Sequence, residues 1–175
     1  FDIPVDHLDG SYIFVPYLKS LKLADIMFAS PDVGGIKRAR SFAKFFDAEL
    51  AVCDKYRKEA NKVSSMRLIG EVEGKDVVLV DDLVDTAGTI CKAAILLKEK
   101  GAKSVRAVCT HPVLSGKAYE NIENSVLEEL AVSDTIPLKQ QPNSKIKVLT
   151  VSNLYAKAIR KIHDNESISS LFIKL

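Results

Sequence analysis

Val77-Val78-Leu79-Val80-Asp81-Asp82-Leu83-Val84-Asp85-Thr86-Ala87-Gly88-Thr89 is the stretch that decides the fold. Its four leading apolar residues read as a strand covered on both faces, which places it in the middle of a parallel sheet. The run ends in two carboxylates and a short loop holding one more acid, two threonines and a glycine. After Thr89 the spacing turns helical. Ile90, Ala93, Ala94, Leu96 and Leu97 lead to Lys100, and Gly101 stands where a helix-ending glycine belongs.

That turn has a specific chemistry. Backbone N–H groups in a tight loop that opens a helix form an anion cradle, and the helix dipole reinforces it. Thr86 and Thr89 add hydroxyl donors, and Gly88 lets the backbone approach a bound group closely. Asp81 and Asp82 lie just before the cradle, where they can accept hydrogen bonds from hydroxyls. Phosphate at one end and hydroxyls at the other describe a sugar phosphate, with ribose the natural candidate. The competing reading makes the acids solvated loop residues and the Thr-Gly-Thr a plain helix cap. Ligands of open α/β sheets bind at the carboxyl edge, which favours the site.

The pattern occurs a second time upstream. Ile26-Met27-Phe28-Ala29 reads as a short buried strand, and Ser30-Pro31-Asp32-Val33-Gly34-Gly35 follows at its carboxyl end. A helix from Ile36 to Phe46 then carries Ala39, Phe42, Ala43 and Phe46 on one face. Paired glycines allow two consecutive N–H groups to face one ligand, with Lys37 and Arg38 supplying charge nearby. The loop is not a Walker A motif, which needs wider spacing and a Lys-Ser/Thr end. Ala51-Val52-Cys53 is a third strand, leading to Asp54-Lys55-Tyr56-Arg57-Lys58. Extended backbone sends Lys55 and Arg57 one way and Tyr56 the other. Two cations at that edge suit the charge that develops on a transferring phosphorus, against the alternative of a solvated basic patch.

The remaining elements follow the same rhythm. Ser11 to Leu23 reads as a helix in which Pro16 is tolerable only in the first turn. The polar stretch from Glu59 to Met66 reads as a lid or as plain disorder. Arg67 to Lys75 reads as a hairpin strand with Gly74 in its turn, leading into the central strand. Val105–Cys109 is a further strand ending at Thr110-His111-Pro112, where His111 either approaches the ligand or bonds to backbone. A helix from Ser115 to Ile122, a strand at Leu130–Val132 and an alternating edge strand at Lys145–Val151 come next. The last helix, Leu154 to His163, turns Leu154, Ala158 and Ile162 inward. Strand, loop and helix in alternation argue one doubly wound α/β domain over residues 1–175, with a mainly parallel sheet and helices on both faces.

Composition bounds the partners. A chain of 175 residues, 47% hydrophobic, can bury one sizeable core. A net charge of +2, with both signs interspersed, argues against nucleic acid and against an anionic membrane. Cys53, Cys91 and Cys109 lack metal-ligand spacing and read as buried, reduced thiols of a cytoplasmic protein. No apolar run reaches the length of a membrane span.

Val80-Asp81-Asp82-Leu83-Val84-Asp85-Thr86-Ala87-Gly88-Thr89 resembles the phosphoribosyl-pyrophosphate loop of type I phosphoribosyltransferase-fold proteins. The Asp-Leu-Val-Asp-Thr variant is similar to that of one family among them, the ribose-phosphate diphosphokinases. Ser30-Pro31-Asp32-Val33-Gly34-Gly35 matches that family's diphosphate loop, and Lys55 and Arg57 occupy its two catalytic positions. Two departures stand out: Ala87 where the family usually has glycine, and Tyr56 within a Lys-Arg-Arg pattern.

The resemblance spans Phe1 to about Phe172 and implies a reaction. The β,γ-diphosphate of ATP would move to the anomeric hydroxyl of ribose 5-phosphate, giving phosphoribosyl pyrophosphate and AMP. Asp81, Asp82, Asp85, Thr86, Ala87, Gly88 and Thr89 would bind the ribose phosphate. Asp32, Val33, Gly34 and Gly35 would bind the diphosphate, Asp32 also holding Mg²⁺. The opening Phe1-Asp2-Ile3-Pro4-Val5-Asp6-His7-Leu8 resembles the segment after a metal-binding histidine. That implies the C-terminal half of a longer two-domain enzyme, with part of the ATP site elsewhere and little turnover by this chain alone. The tail from Asn165 to Phe172 is similar to a family segment near an effector site built across subunits of a homo-oligomer, a hexamer in the family. Two other functions share the loop: a phosphoribosyltransferase consuming phosphoribosyl pyrophosphate, and a catalytically silent regulatory or assembly subunit.

Overall fold

The computed structural model describes residues 1–56, 65–142 and 144–173. Arg57 and most of the stretch read as a lid therefore lie outside the described residues.

The chain runs α1 (Ser11–Ser20), β1 (Ile26–Ser30), α2 (Ile36–Phe46), β2 (Leu50–Tyr56), β3 (Ser65–Ile69), β4 (Asp76–Val84) and α3 (Gly88–Glu99). It continues through β5 (Ser104–Pro112), α4 (Ala118–Glu123), β6 (Glu129–Ser133), β7 (Ile146–Leu149) and α5 (Ser152–His163). The seven strands form one sheet in the order β3-β2-β1-β4-β5-β6-β7. Among the described residues, only β3 is antiparallel to its neighbour.

Alternation along the strands explains the two layers. Met27, Val77 and Leu79 pack with Ile90, Ala94 and Leu97 of α3 and with Ile122 of α4. Phe28, Val78 and Val80 point the opposite way, onto Phe14 and Leu18 of α1 and Phe42 of α2. Phe28 is fully buried and meets the Phe46 ring at 5.1 Å between centroids. The doubly wound architecture and both helical layers are as expected. All three cysteines are buried and free. Among the described residues, no helix is long and apolar enough to cross a membrane.

Four local expectations need correction. Pro16 stands inside α1 rather than in its first turn; it faces solvent, while Phe14, Val15 and Leu18 hold the helix on the sheet. β3 pairs with β2, Leu68 opposite Cys53, so the hairpin joins β2 to β3 and does not lead into β4 as its partner. β4 runs on past Asp81 and Asp82 to Val84, because β5 also continues and pairs Leu83 with His111. Ile162 is 60% exposed, while Leu154 and Ala158 alone of the expected three turn inward.

The strand order places the functional loops. From β1 the chain moves to β2 on one side, and from β4 it moves to β5 on the other. The order reverses between β1 and β4, which are hydrogen-bonded neighbours. In open α/β sheets the crevice beyond the carboxyl ends of such strands is where ligands sit. The loops after β1 and β4 meet there.

Candidate active site

A cavity of about 310 Å³ opens at this switch point, with Asp32 on one wall, Asp81 and Asp82 at its side and residues 85–89 on the other. Of the residues expected to bind ribose phosphate, all seven line it. Gly88 opens α3, and Ala87 precedes it at φ 61° and ψ 3°, in the left-handed region. The glycine-to-alanine departure therefore falls where a side chain costs energy. The Ala87 methyl is 4% exposed and packs into the core beneath α3. That contact offsets the strain.

The N–H groups of Thr86, Ala87, Gly88 and Thr89 donate no hydrogen bond within the described residues. These are the donors that a helix start leaves free, so the loop presents an unfilled set of amides to an anion.

In the loop after β1, the Ser30 hydroxyl donates to the Asp32 carbonyl at 2.6 Å. The Gly35 N–H donates to Asp32 Oδ1 at 3.0 Å, so one of the two glycine amides is engaged within its own loop. Gly35 is required by space: a Cβ there would lie 2.6 Å from Ser30 Oγ. Val33 and Gly34 are exposed at the tip.

Lys55, at the end of β2, donates from Nζ to Thr89 Oγ1 at 3.0 Å. This brings the first catalytic candidate onto the phosphate loop. Tyr56 follows in the strand.

The carboxylate pair has a partner that pattern reading left as nearby charge only. Arg38 of α2 reaches across to Asp82 Oδ2 at 2.5 Å and to Asp81 Oδ1 at 3.6 Å. Asp81 also accepts the Asp82 N–H at 2.9 Å. Burial, helped by the Asp82 carboxylate, pushes the Asp81 carboxyl up to about 6 against the Asp82 N–H bond and the Arg38 charge, which favour its ionised form. Beyond the pair lies a second cavity of about 440 Å³ on the α1–α2 side, and Asp81 and Asp82 line both. His111 belongs to that second space; its Nδ1 shares a 3.0 Å hydrogen bond with the Thr135 hydroxyl.

Two residues that carry no motif signal also touch the phosphate loop. The Ser115 hydroxyl donates to Asp85 Oδ1, and Asn121 Nδ2 donates to the Thr86 carbonyl at 2.9 Å. They lie some thirty residues downstream. Sequence spacing holds no trace of the contact.

Divalent metal has one candidate ligand here. Among the described residues no cluster of three or more His, Cys, Asp or Glu could hold an ion by itself. Mg²⁺ characteristically takes one or two carboxylates plus substrate phosphate oxygens, and Asp32 on the wall of a phosphate-sized cavity fits that arrangement.

Comparison with known proteins agrees with the fold. The chain is 56% identical over 174 residues to a ribose-phosphate pyrophosphokinase of Campylobacter jejuni, covering 99% of the chain and 56% of the relative. The protein of the same name from Wolinella succinogenes is 55% identical, again with 99% of this chain and 56% of the relative covered. The chain thus spans about half the length of the curated relatives it matches. A crystal structure of phosphoribosylpyrophosphate synthetase from Mycobacterium smegmatis superposes with a TM-score of 0.86 at 34% identity, covering 94% of this chain and 54% of that one. An APRTase from Giardia lamblia, at TM-score 0.52 and 15% identity over 78% of this chain and 75% of its own, shares the fold. A family model described as the phosphoribosyl synthetase-associated domain matches residues 55–173, more than half of the 175. The chain belongs to the phosphoribosyl synthetase-associated domain family.

Proposed function

We propose that this chain supplies the ribose 5-phosphate and diphosphate sites of a ribose-phosphate diphosphokinase. In this reading it corresponds to the C-terminal half of an enzyme as long as its relatives, whose remaining length completes the ATP site. One observation carries the assignment. A single cavity joins free loop amides, a carboxylate pair and Asp32, and Lys55 bonds to the rim of the phosphate loop.

In the reaction the anomeric oxygen of ribose 5-phosphate forms a bond to the β-phosphorus of ATP. The bond from that phosphorus to the α–β bridging oxygen breaks, AMP leaves with that oxygen and the electron pair, and the proton of the anomeric hydroxyl passes to solvent. The amides of residues 86–89 with the Thr86 and Thr89 hydroxyls hold the 5-phosphate. Asp81 and Asp82 accept hydrogen bonds from the ribose hydroxyls, which requires Arg38 to share or release them. Asp32, Val33, Gly34 and Gly35 place the diphosphate. Mg²⁺ at Asp32 would neutralise phosphate charge when bound.

Lys55, bonded to Thr89 on the loop, would meet the negative charge that grows on the transferring group, and Arg57, by its motif position, would take the same task. Catalysis is then positioning and electrostatics, with no acid–base residue of decisive weight. The enzyme works as a homo-oligomer in the cytoplasm.

The test uses a protein of the relatives' length carrying this chain, incubated with ATP, Mg²⁺ and ribose 5-phosphate. The expected products are AMP and phosphoribosyl pyrophosphate in equal amounts. ADP formation, or pyrophosphate release from phosphoribosyl pyrophosphate with added bases, overturns the proposal. The 175-residue chain by itself is expected to bind ribose 5-phosphate with little or no turnover.

A further inference from the structure

Behind the phosphate loop runs a second loop, from the end of β5 into α4, whose backbone is bent for a purpose. Leu114 and Gly116 adopt φ of 43° and 55°. A leucine in the left-handed region is strained and persists only where its surroundings enforce it. The Leu114 side chain is 2% exposed in the core under α3, which anchors the bend.

The bend delivers donors to the phosphate loop. Leu114 N–H donates to the Val84 carbonyl at 3.1 Å and Ser115 N–H to the Asp85 carbonyl at 3.0 Å. The Ser115 hydroxyl donates to the Asp85 carboxylate, and Asn121 Nδ2 donates to the Thr86 carbonyl at 2.9 Å. The Ala87 carbonyl is taken by the Cys91 N–H at 3.0 Å, inside the first turn of α3. Three successive carbonyls and one carboxylate are thus occupied from the β5–α4 side and a fourth carbonyl from within α3, while the N–H groups of residues 86–89 meet no acceptor among the described residues.

We infer that Ser115 and Asn121 are positioning residues for phosphate binding: they hold the carbonyls and the Asp85 carboxylate of the loop so that only N–H groups and hydroxyls meet the anion. The Ser115 hydroxyl holds one oxygen of the Asp85 carboxylate, which fixes where that charge sits relative to the cradle. Free peptide planes can turn, and a carbonyl turned into the cradle would oppose the phosphate directly. Neither residue lines the cavity. The inference rests on the proposed ribose 5-phosphate site.

Calorimetric titration of ribose 5-phosphate into the 175-residue chain, alongside thermal melting, tests it. Ser115→Ala and Asn121→Ala should each weaken binding by about fivefold, the effect of one net hydrogen bond. Ser115→Thr, which keeps the hydroxyl, should restore affinity to within about twofold. A merely structural role would leave Ser115→Thr no better than Ser115→Ala, with losses tracking the melting temperature. Alanine variants that bind as tightly as wild type overturn the positioning role alone. A wild-type chain that gives no binding heat overturns the ribose-phosphate site and this inference together.

Discussion

Lys55 Nζ lies 3.0 Å from Thr89 Oγ1, joining the end of β2 to the first turn of α3 across the intervening strand β1. Under the proposed function, this contact would let one cation reach both the loop-bound phosphate and the transferred group. In a protein of the relatives' length, Lys55→Ala should lower the rate of diphosphate transfer by about 10²–10³-fold. Affinity for ribose 5-phosphate should fall by no more than about threefold, since loop amides and hydroxyls remain. Steady-state rates with titration calorimetry on the same variant separate the two. A silent subunit would show no change in rate.

Asp81 makes stability depend on pH. Burial, helped by the Asp82 side chain, raises its carboxyl from 3.8 to about 6. The folded value lies above the unfolded one, so the folded chain binds the extra proton. The penalty for the buried charge is absent below the unfolded value and complete above about 6, so stability falls as pH rises through that interval. Asp81→Asn abolishes the titration. Melting temperatures at about pH 4.5 and about pH 7 should therefore show the wild type losing more on the rise than the variant does.

Ala87 sits at φ 61° with its methyl 4% exposed. Replacement by glycine removes left-handed strain of about 1 kcal/mol, but loses a buried methyl worth about 0.8 kcal/mol. It also frees the unfolded chain by about 0.4–1 kcal/mol. Ala87→Gly should therefore lie within about 1 kcal/mol of wild type by denaturant unfolding. A β-branched residue meets both the φ constraint and the core. Ala87→Val should cost more than about 2 kcal/mol.

The cysteines should be chemically silent. Burial pushes Cys53 and Cys109 up to about 12, and raises Cys91. In the folded chain at about pH 8, the three thiols should not react with a thiol-specific chromogenic reagent over minutes, and all three should react in denaturant.

Much of this was open to reading because it is local. Val77–Val80 reads as a doubly covered strand because alternate residues serve two separate cores, and each loop follows its strand directly. Ala87 could be marked only through the family resemblance, since the glycine usual at that place suggests positive φ, and the backbone has it. The misplaced features depend on distant chain. β4 extends past its acids only because β5 stays beside it, and β3 belongs to β2 only because the sheet edge lies there. Arg38, Ser115 and Asn121 reach the site from other elements, and no spacing rule links Ser115 to Asp85 or Asn121 to Thr86. Ile162 shows the limit of helical periodicity, which marks a stripe but not how wide a neighbour covers it.

The central claim is that loop amides and a carboxylate pair at one sheet edge hold opposite ends of ribose 5-phosphate. Calorimetric titration of that sugar phosphate into wild type, Thr89→Val and the Asp81→Asn, Asp82→Asn double variant tests it most directly. The account predicts saturable one-site binding by wild type, weakened about tenfold or more in each variant. Equal affinity in all three, or no heat in the wild type, would contradict it.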